Sequence, residues 1–520
     1  VITTYYQTIK NLQPKQILFR LYYSLNRRDK KRFISFSPKS SYPLNIQNSL
    51  YSNISYYERN TFVFLNKSFT FNQKIDWNYT EYGMLWAYNL NYFEFLLQPN
   101  FSKETGLRLI NDYISQYKEI KIGYDSYPIS LRNIFWIRFL SEHSIKDERI
   151  DSFLHSQYTI LQHNIEYHLL GNHLLENAFS LLFGAYYFKD KPIYKKAYTL
   201  LKKELNEQIL NDGGHFELSP MYHQVLLYRL LDCINVVYNN EWIKDDLLHW
   251  MIRKAALMLS WLQNITLPSG NIPHLNDAAN DIAPSSKELF EYAKRLTVGF
   301  QMISLSDSNY RTFTGTRFKC IMDIGGIMPK YQPGHAHADT FNFVLEISGK
   351  PVLVDTGCST YELDAIRNYE RGTTAHNTVV LGSINSSQVW ASHRVGKRAN
   401  VKIIKDSHNQ IIVQHDGYKE LGVTHQRGFC QPDDRSIKIT DTILGNSNLQ
   451  RIAYFHVDRE ISDILIESNI ISLPMCRLSF NNFEKIELKA FEQAVGFNRR
   501  LKSQYICVKF RRELITTIQL

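Results

Sequence analysis

Phe341-Asn342-Phe343-Val344-Leu345-Glu346-Ile347-Ser348-Gly349-Lys350-Pro351-Val352-Leu353-Val354 is the stretch whose reading decides the fold class. Phe341 to Ile347 reads as a strand, Ser348-Gly349-Lys350 as a tight turn, and Pro351 to Val354 as a second strand. Short β-rich segments continue beyond it: Val379 to Leu381, Val401 to Ile404, Ile411 to Val413, Ile437 to Ile439, Ile452 to Phe455 and Ile506 to Val508. Upstream, Asp323-Ile324-Gly325-Gly326 marks a turn, and the β pattern begins near 311. The region 311–520 therefore reads as all-β, with many short strands that suggest a sandwich.

Before about 305 the pattern is helical. Leu107 to Tyr117, Leu131 to Leu140, Phe153 to Leu170, His173 to Phe188, Tyr222 to Tyr238 and Leu247 to Leu262 carry apolar residues at helical spacing, separated by short breaks. Helices of this length with short connections pack as antiparallel pairs, and many such pairs can curve into a toroid. At the start of the chain, Leu12, Ile17, Leu18, Leu21 and Leu25 recur at helix-like spacing. The stretch 33–75 then fills with Ser, Asn, Tyr and Pro and reads as loop with short extended pieces. The expected division is an N-terminal extension or cap over 1–80, a helical domain over 81–308 and a β domain over 309–520.

Composition narrows the function. Hydrophobic residues make up 44 % and charged residues 21 % of the 520, which suits a folded protein with substantial cores. The net charge of +10 favours anionic partners, nucleic acid or acidic polysaccharide among them. No recognisable reading helix, RNP-like strand or zinc finger is present, which argues against nucleic acid. The 33 Tyr and 30 Phe fit either an aromatic core or a cleft that packs rings against sugars. Six cysteines without a CxxC pair give no disulfide framework and read as buried thiols. No 18-residue apolar run spans a membrane. The N-terminus turns polar without a signal-peptide core, so the sequence shown reads as cytoplasmic, or periplasmic if a leader was trimmed. Oligomeric state is not readable.

The densest polar cluster is Gly334-His335-Ala336-His337-Ala338-Asp339. In an extended chain His335 and His337 face one side, as a metal-ligand pair or as one ligand and one catalytic base. Asp355 ends the strand Pro351 to Val354, and His376 sits in Thr373-Thr374-Ala375-His376-Asn377. His337, Asp355 and His376 make an N,O,N set that zinc accepts, although no standard zinc spacing is matched. Taken singly, Asp355 also suits a turn cap and His376 a hydrogen-bonded core position. In the helical half, Gly171-Asn172-His173-Leu174-Leu175-Glu176-Asn177 opens a helix that Asn172 could cap and Glu176 support. In Glu217-Leu218-Ser219-Pro220-Met221-Tyr222-His223, Ser219 suits the N-cap and Pro220 the first helical position. Tyr222 then lies in the first turn, where the helix dipole could lower its pKa. The plain alternative is a tyrosine packed on a neighbouring helix.

These stretches, with Arg371-Gly372-Thr373-Thr374-Ala375-His376-Asn377-Thr378-Val379, together resemble the heparinase II/III family of polysaccharide lyases and its alginate-lyase relatives. The resemblance implies an α+β multidomain chain: an incomplete (α/α) toroid followed by an antiparallel β-sandwich, with the site in the cleft between them. It implies Tyr222 as catalytic tyrosine, His335 as its partner in proton transfer, and Asn172 with His173 on the uronate carboxylate. His337, Asp355 and His376 match a structural divalent metal site, usually zinc. Tyr369 matches a second active-site tyrosine, Arg371 lies where it could meet a carboxylate or sulfate, and Glu217 could orient a neighbour.

The implied reaction is β-elimination on a uronate-containing acidic polysaccharide, either glycosaminoglycan-like, heparan sulfate for example, or an alginate or bacterial exopolysaccharide. Loss of the C5 proton builds charge on the carboxylate, which Asn172 and His173 would stabilise. Tyr222 would protonate the departing O4, and His335 or ionised Tyr222 would act as base. One rival is a glycoside hydrolase with a carboxylate pair drawn from Glu176, Glu217, Asp277 and Asp281. The other is a noncatalytic acidic-glycan binding or assembly protein.

Overall fold

The computed structural model describes residues 2–25 and 30–520. Of the basic run Arg27-Arg28-Asp29-Lys30-Lys31-Arg32, whose composition reads as a solvated face or linker, Arg27, Arg28 and Asp29 lie outside the described residues. Lys30–Phe33 form a single 3-10 turn, in which Lys30 Nζ reaches Asp125 at 3.2 Å.

Helices come first: α1 (Ile2–Ile9), α2 (Pro14–Leu25), α3 (Met84–Tyr92), α4 (Lys103–Ser115), α5 (Ser126–Glu142), α6 (Glu148–His163), α7 (Gly171–Phe188), α8 (Lys191–Gln208), α9 (Pro220–Asn239), α10 (Leu247–Ile265) and α11 (Ser286–Arg295). Helix α7 buries nearly every side chain because it is the central element, packed on α5, α8 and α9. Outer helices such as α8 and α10 keep one polar face in solvent. Residues 41–50 run extended across the helix ends. Tyr42 N donates to Tyr187 O at 2.8 Å, and Gln47 N to Asn235 Oδ1 at 3.1 Å. A small antiparallel sheet of Tyr56–Tyr57, Thr61–Phe64 and Lys67–Thr70 follows, packing Phe62 and Phe64 into the helical core.

The β half begins at Tyr310. Tyr310–Thr314, Phe318–Asp323, Phe343–Ile347 and Lys350–Leu353 form a four-stranded antiparallel sheet in sequence order. The deciding stretch is thus a hairpin, but its first strand starts at Phe343. Phe341 has φ 69°, outside the extended range. A second, ten-stranded antiparallel sheet includes a hairpin of two 21-residue strands, Cys476–Gly496 and Arg499–Gln519, while Val389–Trp390 and Arg394–Val395 pair in a sheet of their own. One apolar cluster draws on both of the larger sheets, with Phe313, Phe343, Phe429, Phe455 and Phe480 all buried. Each such ring contributes about 1.5–3 kcal/mol by leaving water. The architecture is that of an incomplete helical toroid followed by an antiparallel sandwich.

The six cysteines are all free thiols. Among the described residues, no helix is long and apolar enough to cross a membrane.

Candidate active site

A cavity of about 1680 Å³ lies along the seam between the two halves. Its helical wall comes from the starts of α5, α7 and α9, with Tyr127, Asn172, His173 and Tyr222, and from Arg229 midway along α9. Its β wall comes from loops, with Gly334, His335, Tyr361 and His393. Helices α1 and α2 add Tyr5, Arg20 and Tyr23.

The helical wall depends on a break that the apolar periodicity hides. The run from Phe153 to Leu170 reads as one helix, yet α6 ends at His163. The released loop carries Glu166 back onto α7, where it accepts from Asn177 Nδ2 at 2.9 Å and meets His173 Nδ1 at 3.1 Å. Burial pulls the His173 pKa down, and the Glu166 carboxylate more than reverses this, so it ends above the ordinary value. Gly171 follows with φ 59°, and a Cβ there would stand 2.3 Å from Glu217 Oε1. Only glycine permits that approach. Asn172 does not cap the helix as expected. Glu217 takes both its backbone N–H at 2.9 Å and its Nδ2 at 2.7 Å, which fixes the amide at the cavity edge. Glu176, expected to support the first turn, is instead buried 3.7 Å from Arg229.

Ser219 caps α9 as its sequence predicts, accepting from Tyr222 N at 3.3 Å with Pro220 next in line. Its hydroxyl also donates to Asp277 O at 2.6 Å. The expected lowering of the Tyr222 pKa is corrected. Burial penalises the phenolate and pushes the pKa up, against the smaller effect of Tyr361, whose hydroxyl lies 3.2 Å away. Tyr222 therefore carries its proton at neutral pH. Its ring stacks on His335 with centroids 3.9 Å apart.

Asp277 organises the β wall. Its Oδ2 meets His335 Nδ1 at 3.0 Å and Arg367 Nη2 at 2.7 Å; its Oδ1 meets His337 Nε2 at 2.9 Å and Arg367 Nη1. Burial alone would raise this carboxyl, but Arg367 and the two imidazoles hold it well below the usual range. An ionised carboxylate only accepts hydrogen bonds, so the His335 proton sits on Nδ1. In the neutral ring that puts the lone pair on Nε2, which lies 3.3 Å from Asn172 Nδ2.

The structure thus brings Tyr222, His335, Asn172 and His173 to one cavity. It places three other candidates elsewhere. Glu217 is 1 % exposed, beneath Asn172 rather than on the cavity surface. Arg371 is 1 % exposed, and its guanidinium donates to the carbonyls of Ala336, Ala391 and Arg394. It staples the loop of His335 and is not free to meet an anion. Tyr369, on the short helix Ala365–Glu370, lies outside the cavity; Tyr361 is the tyrosine beside Tyr222. The sequence reading missed Tyr361, His393 and Glu166, none of which stands in a motif. It weighed Asp277 only as a hydrolytic acid.

Among the described residues one group of three donors converges closely enough to hold a cation, and the trio expected from the sequence is not part of it. Asp277, His335 and His393 place ligand atoms within 4.8 Å of one another. His337, Asp355 and His376 are all buried, with His376 Nδ1 2.7 Å from Asp355 Oδ2. Three buried atoms around this expected trio have no hydrogen-bond partner among the described residues: His337 Nδ1, His376 Nε2 and Oδ2 of Asp339. Buried polar atoms are ordinarily paired, and these orphaned atoms are the feature of the trio that suits a divalent cation.

A helical toroid joined to a β-sandwich, with a tyrosine and histidines at the seam, is the architecture these elements define. Two family models match the chain, the heparinase II/III N-terminus over residues 111–297 and the heparinase II/III-like C-terminal region over residues 297–519, and the chain belongs to this family. It is 25 % identical over 343 residues to a heparin-sulfate lyase of Bacteroides stercoris, covering 59 % of this chain and 49 % of that protein. A heparin-sulfate lyase of Pedobacter heparinus is 26 % identical over 305 residues, covering 53 % and 45 %. The chain thus spans about half the length of these curated relatives. The crystal structure of a heparinase III superposes with a TM-score of 0.67 at 15 % identity, over 97 % of this chain and 92 % of that one. A heparan sulfate lyase from Pedobacter heparinus gives 0.56 at 17 % identity, over 87 % and 79 %. At these identities the structural likeness speaks to the fold.

Proposed function

We propose that the protein is a polysaccharide lyase that cleaves a uronate-containing acidic polysaccharide by β-elimination. The observation that carries this reading is the stacked pair Tyr222 and His335 with Asn172 against the His335 Nε2. One group holds a proton, one offers a lone pair, and an amide stands ready for a carboxylate.

In this mechanism the uronate carboxylate lies against Asn172 and the His173 imidazole, which stabilise the charge that develops as the C5–H bond breaks. His335 Nε2 takes the C5 proton, because Asp277 holds its other nitrogen protonated. Tyr222 gives its proton to O4 as the C4–O4 bond breaks. The products are a shortened chain and a uronate with a double bond between C4 and C5. Hydrolysis would need two carboxyl groups flanking the bond. Here Glu217 and Asp277 are buried and engaged with Asn172 and the histidines.

We assign a structural zinc to His337, Asp355 and His376. The unpartnered nitrogens support this group over the one around Asp277, where the Arg367 guanidinium already neutralises the carboxylate and would repel a cation. Bound there, the metal would hold the loops of the β wall in shape. The proton transfers belong to the protein side chains. The names of the relatives support a glycosaminoglycan such as heparan sulfate as substrate.

The test is ultraviolet absorbance of the conjugated product during incubation with heparan sulfate, chondroitin, hyaluronan, alginate and bacterial exopolysaccharides. Absorbance should grow with one of them and fall about 10²–10⁴-fold in Tyr222→Phe with folding intact. Depolymerisation without absorbance would rule out elimination.

A further inference from the structure

Helix α2 turns an apolar side outward. Its packing side is made by Gln16, Phe19 and Tyr23. Gln16 is fully buried, with Nε2 donating to Leu169 O at 3.1 Å and Tyr331 O at 3.3 Å. The Tyr23 hydroxyl donates to Ile165 O at 2.6 Å, and the Phe19 ring lies 4.7 Å from that of Tyr167. On the other side stand Ile17, Leu18, Leu21, Tyr22 and Leu25, all exposed, Leu18 by 63 % and Leu25 by 85 %. At about 100° per residue these five fill an arc of roughly 140°. A surface helix whose only partner is the core shows the reverse, with apolar residues inward and polar ones outward. A single exposed leucine needs no explanation, but a contiguous apolar face marks an interaction surface.

The charges beside this arc are of one sign. By helical spacing Lys15 borders it beyond Tyr22 and Arg20 borders it beyond Ile17, so a base stands at either edge. Positions 1–28 hold Lys10, Lys15, Arg20, Arg27 and Arg28 and no acid. Glu207, which Gln13 meets at 3.4 Å just before α2, is itself engaged by the Tyr331 hydroxyl at 2.6 Å. An apolar stripe flanked by bases complements a partner that is apolar within and anionic at its surface, as a bilayer with acidic headgroups is. A second copy of this chain fits less well. Pairing α2 with itself about a two-fold axis sets a basic segment against its own like charges, with no acid of that segment to answer them.

We propose that the outward face of α2 docks on an anionic lipid bilayer, with the helix lying in the plane of the headgroups. This is attachment from one side and not a crossing, and it stands independently of the lyase reading. Arg20 and Tyr23 of the same helix line the cavity, so docking holds the cleft close to the membrane surface. One helix of 12 residues gives a reversible attachment, and its electrostatic part weakens as salt rises.

Flotation of the full chain with lipid vesicles tests this. One set of vesicles is phosphatidylcholine alone, and the other is an equal mixture of phosphatidylcholine and phosphatidylglycerol. The wild-type chain is expected to float with the mixed vesicles, to float weakly with the neutral ones, and to be released as salt rises. The double variant Leu18→Ser, Leu25→Ser removes two exposed side chains, so its melting temperature should not change. Its partition onto the mixed vesicles should fall about 10-fold or more. A wild-type chain that floats with neither vesicle, or equally with both at every salt concentration, overturns the proposal. So does a folded double variant that floats like wild type. A wild-type dimer in sedimentation velocity that the double variant abolishes, without flotation, gives the face to a second copy and also overturns it. If the double variant does not fold, the lipid and salt comparisons on the wild-type chain decide the matter. None of these outcomes bears on turnover of a free polysaccharide, so the lyase reading stands or falls separately.

Discussion

The two walls of the cleft are fixed in opposite ways. On the helical wall, Asn172 and His173 are each held by an acid of their own half: Asn172 by Glu217, and His173 by Glu166. On the β wall, His335 and His337 are both held by Asp277, which follows α10 and belongs to the helical half. Asn172 and His173 are therefore set within the helical half, whereas Tyr222 meets Tyr361 and His335 across the cleft. The β wall is set only when the two halves are docked, because one carboxylate orients the reacting imidazole and reaches a member of the proposed metal site together.

Removing that carboxylate should have the largest effect. Asp277→Ala leaves Arg367 buried without its partner, a change that costs about 3–5 kcal/mol. Denaturant unfolding should show this loss, and turnover should fall together with it. Chelation comes next. Purified protein should carry about one zinc per chain by elemental analysis, and stripping it should lower the melting temperature by several degrees, at about 2–4 °C per kcal/mol for units of this size. His376→Ala should lose the metal, while Asn172→Ala, on the other wall, should keep it.

The helical wall should respond more gently. Glu217→Gln keeps the shape beneath Asn172 but loses the charged acceptor for both its N–H groups. We expect kcat/KM to fall about 10-fold, the scale of one charge-assisted hydrogen bond, with little change in melting temperature. The smallest effect is a pH dependence of stability. His173 is raised above its ordinary 6.5, so its contribution is full below that value and is lost as pH rises through the raised pKa. Burial alone would raise Glu166, but His173 holds it below its ordinary 4.5, so its contribution is present above that value and lost as pH falls through the lowered pKa. Glu166→Gln should cost about 1 kcal/mol or less between about pH 5 and 6, given the partial exposure of His173, and nearly nothing at alkaline pH. A gap that stays constant from about pH 5 to alkaline pH would contradict the pairing.

The division into a helical and a β half was legible because the apolar period changes near 311, from helical spacing to short alternating runs. The two 21-residue strands were not. Their outward faces carry Lys, Glu and Arg, and only Ile506 to Val508 stood out as apolar. The site was legible where local chemistry gives a signal, as at Ser219-Pro220 before Tyr222, or His335 and His337 in one tight cluster. It was illegible where tertiary structure assembles the contact. Glu166 reaches His173 only because α6 stops early, and Tyr361 reaches Tyr222 across 139 positions of the chain. Asn172 looked like a helix cap because its type and place suit one. Glu217, 45 positions away, claims it instead.

The central claim is that Tyr222 and His335 break the glycosidic bond by elimination. The most direct measurement is the mass of the two fragments made by a single cut in a uronate oligosaccharide of known mass. Elimination predicts that the two masses sum to that of the parent, with the non-reducing end of one fragment lacking one water. Fragments that together exceed the parent by one water would mean hydrolysis and would contradict the account.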